Sequence, residues 1–329
     1  MPETTTSTPL IEVRDLQTHL FSKRGVGRAV AGVSFDLHAG ETLGLVGESG
    51  CGKSLTCLSV LRLNPQPASR IVGGNVRFRG DDLLTKSEAE MRQYRGKKIS
   101  MILQDPMRAL NPVLTIGDQL YEALILHRGL RGRELRDAAC ELLERVRIPD
   151  PAAGLAAYPH HFSGGMRQRV VGAIAMAGNP EVLIADEPTT ALDVTVQEEF
   201  LELLKSIQQQ DGLGILFVTH DFAVVARMCD RVAVMYAGRI VETADTDTLF
   251  DAPRHPYTQA LLRSVPDVSR RDERLFSIDG QPPSVFAPLP GCSFAPRCEH
   301  ATERCRSSAP PPVQAGGRSV SCWLYEEKP

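Results

Sequence analysis

The 329 residues carry 37 Lys and Arg against 40 Asp and Glu, a formal net charge of −3, so no basic surplus points to a nucleic-acid partner. With 42% hydrophobic residues the chain is long enough for more than one folding unit. No apolar run approaches the ~20 residues of a membrane span. The opening MPETTTSTP has neither the basic start nor the apolar core of a signal peptide. The expectation is a chain kept in the cytosol, with residues 1–9 a disordered lead-in, that reaches any membrane through a partner.

EVRDLQTHLF (12–21) and AVAGVSFDL (29–37) alternate as strands do, and ETLGLVG (41–47) reads as a short buried strand. A glycine-rich turn and an apolar helix from Lys53 to about Leu63 follow, then a buried strand at 99–105. From 106 to 160 the pattern is helical; Leu135, Ala139, Leu142, Leu143 and Val146 share one face, with Glu141 and Arg145 an i,i+4 pair on the other. Strands at 181–187, 214–220 and 231–238 then alternate with helices at 195–207 and 222–229. Such alternation argues a mostly parallel sheet covered by helices. Beyond about 251 the pattern changes to a short helix at 255–265, an extended linker at 281–290 and a loop-rich end.

Gly47-Glu48-Ser49-Gly50-Cys51-Gly52-Lys53-Ser54 matches G-x-x-x-x-G-K-[ST] between a buried strand and a helix, the context a phosphate-binding loop requires. Glycines let successive N–H groups point at phosphate oxygens, and the helix N-terminus adds its field. Lys53 is placed to reach the terminal phosphates of ATP and Ser54 to put a hydroxyl on Mg²⁺. The second signal is Val182-Leu183-Ile184-Ala185 followed by Asp186 and Glu187. An apolar strand delivers two carboxylates at its C-terminal end, where ligands of such sheets bind. Asp186 suits a Mg²⁺ partner, and Glu187 a residue that orients or deprotonates the attacking water. Each segment alone also reads as a glycine-rich turn or a solvated strand end; their combination argues against both.

Phe162-Ser163-Gly164-Gly165-Met166-Arg167-Gln168-Arg169 resembles the signature motif of ATP-binding cassette ATPases. Gln104 matches that family's Q-loop, Ala191-Leu192-Asp193 its D-loop and His220 its switch histidine, all in the family's order. The resemblance implies an α/β P-loop NTPase fold, a RecA-like mixed, mostly parallel sheet with antiparallel β and α-helical subdomains. It implies an ATP-binding core at 10–105 and 165–250 and a helical signature subdomain at 106–164. It further implies that Ser163, Gly164 and Gly165 hold the γ-phosphate across a dimer, with Asp193 at that interface. Gln104 would touch metal and water, and His220 would sense the γ-phosphate. Met166 departs from the Gln of many members. Phe21 lies near the family's adenine platform and reads equally well as a core residue.

QDPMRALNPVLTIGDQL, ADEPTTALDVTVQ and HPYTQALLRSVP resemble the oligopeptide/dipeptide importer ATPases, in the form of the first of two non-identical subunits. That implies a second ATPase, two membrane permeases and an extracytoplasmic peptide-binding protein, with this chain peripheral on the cytoplasmic face of the membrane. Importers of nickel or sugars share these parts, and a soluble cassette ATPase is the reading from another class. The tail, 251–329, holds GCSFAPRC and Cys292, Cys298, Cys305 and Cys322 at spacings of 5, 6 and 16 residues, neither paired zinc nor ferredoxin spacing. The resemblance implies a [4Fe–4S] cluster on these four; zinc and reduced structural thiols are the alternatives.

Overall fold

The computed structural model describes residues 8–105, 109–190, 192–265, 276–287 and 289–326. Most of the expected lead-in, part of the segment after Gln104, and Ala191 of the D-loop match lie outside these. In chain order the main elements are β1 (Ile11–Ser22), β2 (Gly25–Leu37), β3 (Thr42–Val46), α1 (Lys53–Val60), β4 (Ser69–Phe78) and β5 (Ile99–Ile102). There follow α2 (Ile116–Arg128), α3 (Gly132–Arg145), α4 (Gly164–Met176), β6 (Val182–Asp186), α5 (Val194–Asp211) and β7 (Gly214–Thr219). The last are α6 (Phe222–Met228), β8 (Arg231–Tyr236), β9 (Arg239–Asp245), α7 (Pro256–Arg263), β10 (Val313–Ala315) and β11 (Arg318–Val320).

These residues fold as two compact units, one built mainly of Thr85–Val218 and the other of Ile11–Asp36, Thr42–Leu84 and the chain from Thr219 onward. In the first, β5, β6 and β7 are parallel, with Ile99 opposite Val182 and Val182 opposite Gly214. All five residues of β6 are buried, as a strand covered on both faces must be. Helix α2 starts with a capping box in which Thr115 and Asp118 satisfy each other's backbone N–H, and ends at Gly129 in the left-handed conformation. The expected Glu141–Arg145 pair is not what forms: Arg145 pairs instead with Asp211 at the end of α5. Asp211 lies at the negative C-terminal end of α5, where its carboxylate gains most from a cationic partner, whereas an exposed i,i+4 pair is worth only ~0.3–0.5 kcal/mol.

In the second unit β1 pairs antiparallel with β4, a strand absent from the sequence expectation, and has β2 on its other side. β3 runs parallel to β8, β8 antiparallel to β9, and β9 antiparallel to β11. β10 and β11 form a hairpin closed by Gly316 and Gly317, at φ 60° and 77°, the pair of positive φ values that a two-residue turn matching strand twist requires. The tail is thus sewn onto the sheet. Its anchor is Glu242, 1% exposed, whose carboxylate accepts from the Arg254 and His255 N–H groups at 2.8 Å each. The expected extended linker, 281–290, lies partly outside the described residues; within it Ser284–Ala287 make a turn, with the Ala287 N–H on the Ser284 carbonyl at 2.9 Å, and the segment is docked where Arg28 N–H donates to the Val285 carbonyl at 2.8 Å.

Candidate functional site

The phosphate-loop residues lie between β3 and α1, in the second unit. Gly47, Gly50 and Gly52 stand at φ 152°, 79° and 107°. A Cβ on Gly47 would meet the Met235 carbonyl oxygen at 2.1 Å, and one on Gly52 the Ala29 carbonyl oxygen at 2.3 Å, so the loop is threaded where only backbone fits. Lys53 is buried, and its Nζ donates to the carbonyls of Gly47 at 2.7 Å and Glu48 at 3.1 Å. The ammonium thus folds back onto the carbonyls of its own loop. Ser54, one residue on, is exposed. Cys51 is buried 3.9 Å from Lys53 Nζ, and burial raises its thiol pKa, so it is not an activated nucleophile.

Glu48 is held from the tail. Its N–H donates to the Tyr257 hydroxyl at 2.9 Å, and its carboxylate accepts both Arg297 terminal nitrogens, at 2.7 and 3.1 Å. Arg297 is anchored in turn by donation from Nε to the Asp279 carbonyl at 2.9 Å and from Nη2 to that of Ile278 at 3.3 Å. Its hydrogen bonds to Glu48 raise its pKa further above the usual arginine range. Tyr236, Tyr257 and Phe294 pack behind this clamp with ring centroids 4.5 to 5.4 Å apart. Burial pushes the Tyr257 phenol far above its ordinary value, so it stays protonated.

His220 is exposed directly after β7, and Asp221 caps the next helix by accepting from the Ala223 N–H at 2.8 Å. Phe21, at the far end of β1, is 37% exposed with the Arg70 guanidinium 5.3 Å over its ring. That makes it a half-solvated aromatic face rather than a core residue.

In the first unit Asp186 ends β6 and is 5% exposed. Glu187 turns out of the strand at φ 47°, held by donation of its N–H to the Val218 carbonyl at 3.0 Å. Its carboxylate accepts from Gln104 Nε2 at 2.9 Å and from the Thr190 hydroxyl at 3.1 Å. Gln104 and Glu187, 83 residues apart in the chain, are thus brought into direct contact. Thr190 is a partner that sequence reasoning did not single out.

Ser163 caps α4, accepting from the Met166 N–H at 3.3 Å, with Gly164 and Gly165 as the helix's first residues. Asp193 caps α5 in the same way through the Val196 N–H at 3.1 Å. The two helix starts touch, since a Cβ on Gly165 would lie 2.3 Å from Val196 Cγ1. The signature and D-loop residues are therefore neighbours, each at a positive helix end.

Cys292, Cys298, Cys305 and Cys322 all line one cavity of about 230 Å³, with His300 beside them. Burial raises the thiols of Cys292 and Cys298, and pushes that of Cys322 up to about 11. Among the described residues, however, no group of three or more His, Cys, Asp or Glu side chains is arranged to hold a metal ion. The iron–sulfur expectation gains no support from this arrangement: the donors converge on one space without forming a ligand set. Among the described residues no helix is long and apolar enough to cross a membrane.

Residues 30–190 match the family model for ABC transporters, and residues 241–305 that for the oligopeptide/dipeptide transporter C-terminal region. A probable peptide ABC transporter ATP-binding protein of Sinorhizobium fredii, y4tR, is 51% identical over 321 residues, 97% of this chain and 96% of that protein. The dipeptide transport ATP-binding protein DppD of Bacillus subtilis is 47% identical over 320 residues, again 97% and 96%. Among solved structures the ATP-binding cassette MJ0796, in a dimeric post-hydrolysis state bound to ADP and Pi, aligns with a TM-score of 0.64 at 27% identity. That alignment covers 72% of this chain and 98% of the cassette.

Proposed function

Since the chain belongs to the ABC transporter ATPases that carry an oligopeptide/dipeptide transporter C-terminal region, we propose that it hydrolyses ATP to power the uptake of di- and oligopeptides. The observation that carries the reading is full-length likeness, at about half identity, to relatives named for peptide and dipeptide transport, joined to a phosphate loop built as nucleotide binding demands.

In this reading the N–H groups of residues 47–54 and the Lys53 ammonium cradle the ATP phosphates, with Ser54, Gln104 and Asp186 as Mg²⁺ partners. Glu187 orients the attacking water and takes its proton, with Gln104 and Thr190 fixing its carboxylate. His220 contacts the γ-phosphate, and Phe21 offers a face to the adenine. Ser163, Gly164 and Gly165, with Asp193, present a helix start to the nucleotide of a second ATPase subunit. Two ATP then favour the closed pair because they bind it better than the open one. Two permeases and a peptide-capturing protein complete the machine, with this chain on the cytoplasmic face of the membrane. The chain divides by role into the core at 10–105 and 165–250, the helical signature subdomain at 106–164 and the tail at 251–329.

The tail cysteines are the finer part of the proposal. A [4Fe–4S] cluster on Cys292, Cys298, Cys305 and Cys322, stapling a loop-rich segment, rests on the family resemblance and on the softness of four thiols around one cavity, not on a ligand set that they already form. Iron and sulfide in anaerobically purified protein support it; zinc alone, or intact thiols without metal, rule it out. For the transport reading, a panel of labelled di- and oligopeptides is offered to cells whose only copy carries Glu187→Gln. Collapse of uptake at an unchanged protein level supports peptide import. Unchanged uptake, with no redundant importer, overturns it and turns attention to nickel or sugars.

A further inference from the structure

We propose that Arg297, a tail residue far outside the nucleotide motifs, is a positioning residue for the phosphate loop. Its guanidinium neutralises and holds Glu48, and so sets how well the loop binds ATP. The inference rests on the assignment of residues 47–54 to ATP made above.

A loop that takes polyphosphate gains nothing from a carboxylate at its second position, since like charges repel at short range. Glu48 sits there with its side chain 27% exposed. The Arg297 side chain is only 4% exposed and meets it bidentately at 2.7 and 3.1 Å. The planar fork fixes direction as well as charge. The carboxylate is turned onto the tail, and the backbone carrying it is gripped a second time where Glu48 N–H donates to the Tyr257 hydroxyl.

The consequence falls on Lys53. Two of its three donors go to the carbonyls of Gly47 and Glu48, so any shift of the Glu48 peptide moves the ammonium that is to meet the phosphates. Arg297 is itself tied to the backbone of Ile278 and Asp279 and precedes Cys298 of the four-thiol cavity. The clamp thus joins the tail to the loop through atoms in direct contact, all within one compact unit.

The test is a cycle of Arg297→Ala, Glu48→Gln and the double variant, with Arg297→Lys as the conservative replacement. Each is made in the full chain and read by titration with a fluorescent ATP analogue, by KM for ATP and kcat, and by thermal unfolding. Arg297→Ala is expected to raise the nucleotide Kd and KM about tenfold with kcat little changed, and Glu48→Gln, which loses the fork but also the repelling charge, to raise them less. The double variant is expected to be no worse than the worse single one, because both lesions break the same contact. Arg297→Lys should fall between, keeping charge but losing the fork. Independent effects that multiply, making the double variant weaker than Arg297→Ala alone, overturn the proposal, and so does a lowered melting temperature with an unchanged Kd, which marks Arg297 as merely structural. If Arg297→Ala does not fold, Arg297→Lys and Glu48→Gln carry the same comparison. Failure of the wild-type chain to bind ATP would instead count against the site assignment.

Discussion

Gly52 and Gly50 stand two residues apart in one loop, both at positive φ, yet alanine should cost very different amounts at the two. At Gly50, φ is 79° and an added Cβ meets nothing within 4 Å, so only the left-handed backbone penalty applies, about 1–2 kcal/mol. At Gly52, φ is 107°, well outside the left-handed helical well, so the backbone penalty is at least as large. The Cβ would also lie 2.3 Å from the Ala29 carbonyl oxygen and 2.8 Å from Met235 Cε. Met235 can swing its end away, but the Ala29 carbonyl belongs to β2 and cannot. Overpacking of this kind adds about 1–3 kcal/mol, which brings Gly52→Ala to about 2–5 kcal/mol against a total stability of about 5–15. Urea unfolding of both variants, followed by nucleotide titration of whatever remains folded, measures the contrast. Gly50→Ala should stay folded and bind nucleotide; Gly52→Ala should lose several times more stability and most of its binding. Equal losses would mean that conformation alone, not close approach of two backbones, makes the loop's glycines necessary.

Glu187→Gln should cut phosphate release by about 10²–10⁴ while leaving ATP binding intact, since Gln104 and Thr190 can still hydrogen-bond the amide; normal turnover refutes the role given to the carboxylate. Gly165→Ala should destabilise by about 1–3 kcal/mol through its clash with Val196, and Val196→Ala in the same chain should restore most of the loss; a double variant as poor as the single one denies the contact. His255, 1% exposed, has its pKa lowered by burial to about 3, below its unfolded value near 6.5. The unfolded chain therefore binds the proton first, and stability is lost as pH falls from about 6.5 towards 3, by about 1.4 kcal/mol per unit. His255→Asn keeps an acceptor for the Tyr257 N–H that Nδ1 now takes at 3.0 Å, and should flatten urea midpoints between pH 6 and 4; an unchanged slope assigns the dependence elsewhere.

The candidate site is legible in the sequence wherever it sits in contiguous residues whose spacing is forced by backbone geometry. A phosphate loop needs glycines at fixed offsets from its lysine, and a metal-binding strand end needs its carboxylates just past an apolar run, so both announce themselves. Gln104 and Glu187 are different: their contact crosses 83 residues, and only likeness to a family could pair them in advance. Thr190, three residues past Glu187, gives no signal of its own because Pro188-Thr189-Thr190 reads as a turn. β4 was missed because SRIVGGNVRF carries two glycines mid-strand; Gly74, at φ 86°, lies against the Asp15 carbonyl, a close approach that only its partner strand explains. The Glu141–Arg145 pair failed because helical spacing reports which groups are near on one helix and says nothing of better partners on another.

The tail shows why composition misleads when a segment completes another's core. Read by itself, 251–329 is rich in proline and polar residues and has too few apolar side chains to bury, which made a cluster on its cysteines the natural staple. The structure supplies other staples first. Phe294 and Tyr257 pack on Tyr236 of β8, β11 extends the sheet beyond β9, and Glu242 takes two tail N–H groups. Each needs a partner at least ten residues away, so none shows in a local reading. With these contacts in place, order in the tail does not itself require a metal, and removing the cysteines should separate the two supports. If Cys292→Ser and Cys298→Ser leave β11 protected in hydrogen exchange, the sheet edge carries the fold and the thiols serve another end. Protection lost along with the cysteines would make the four-thiol cavity the staple after all.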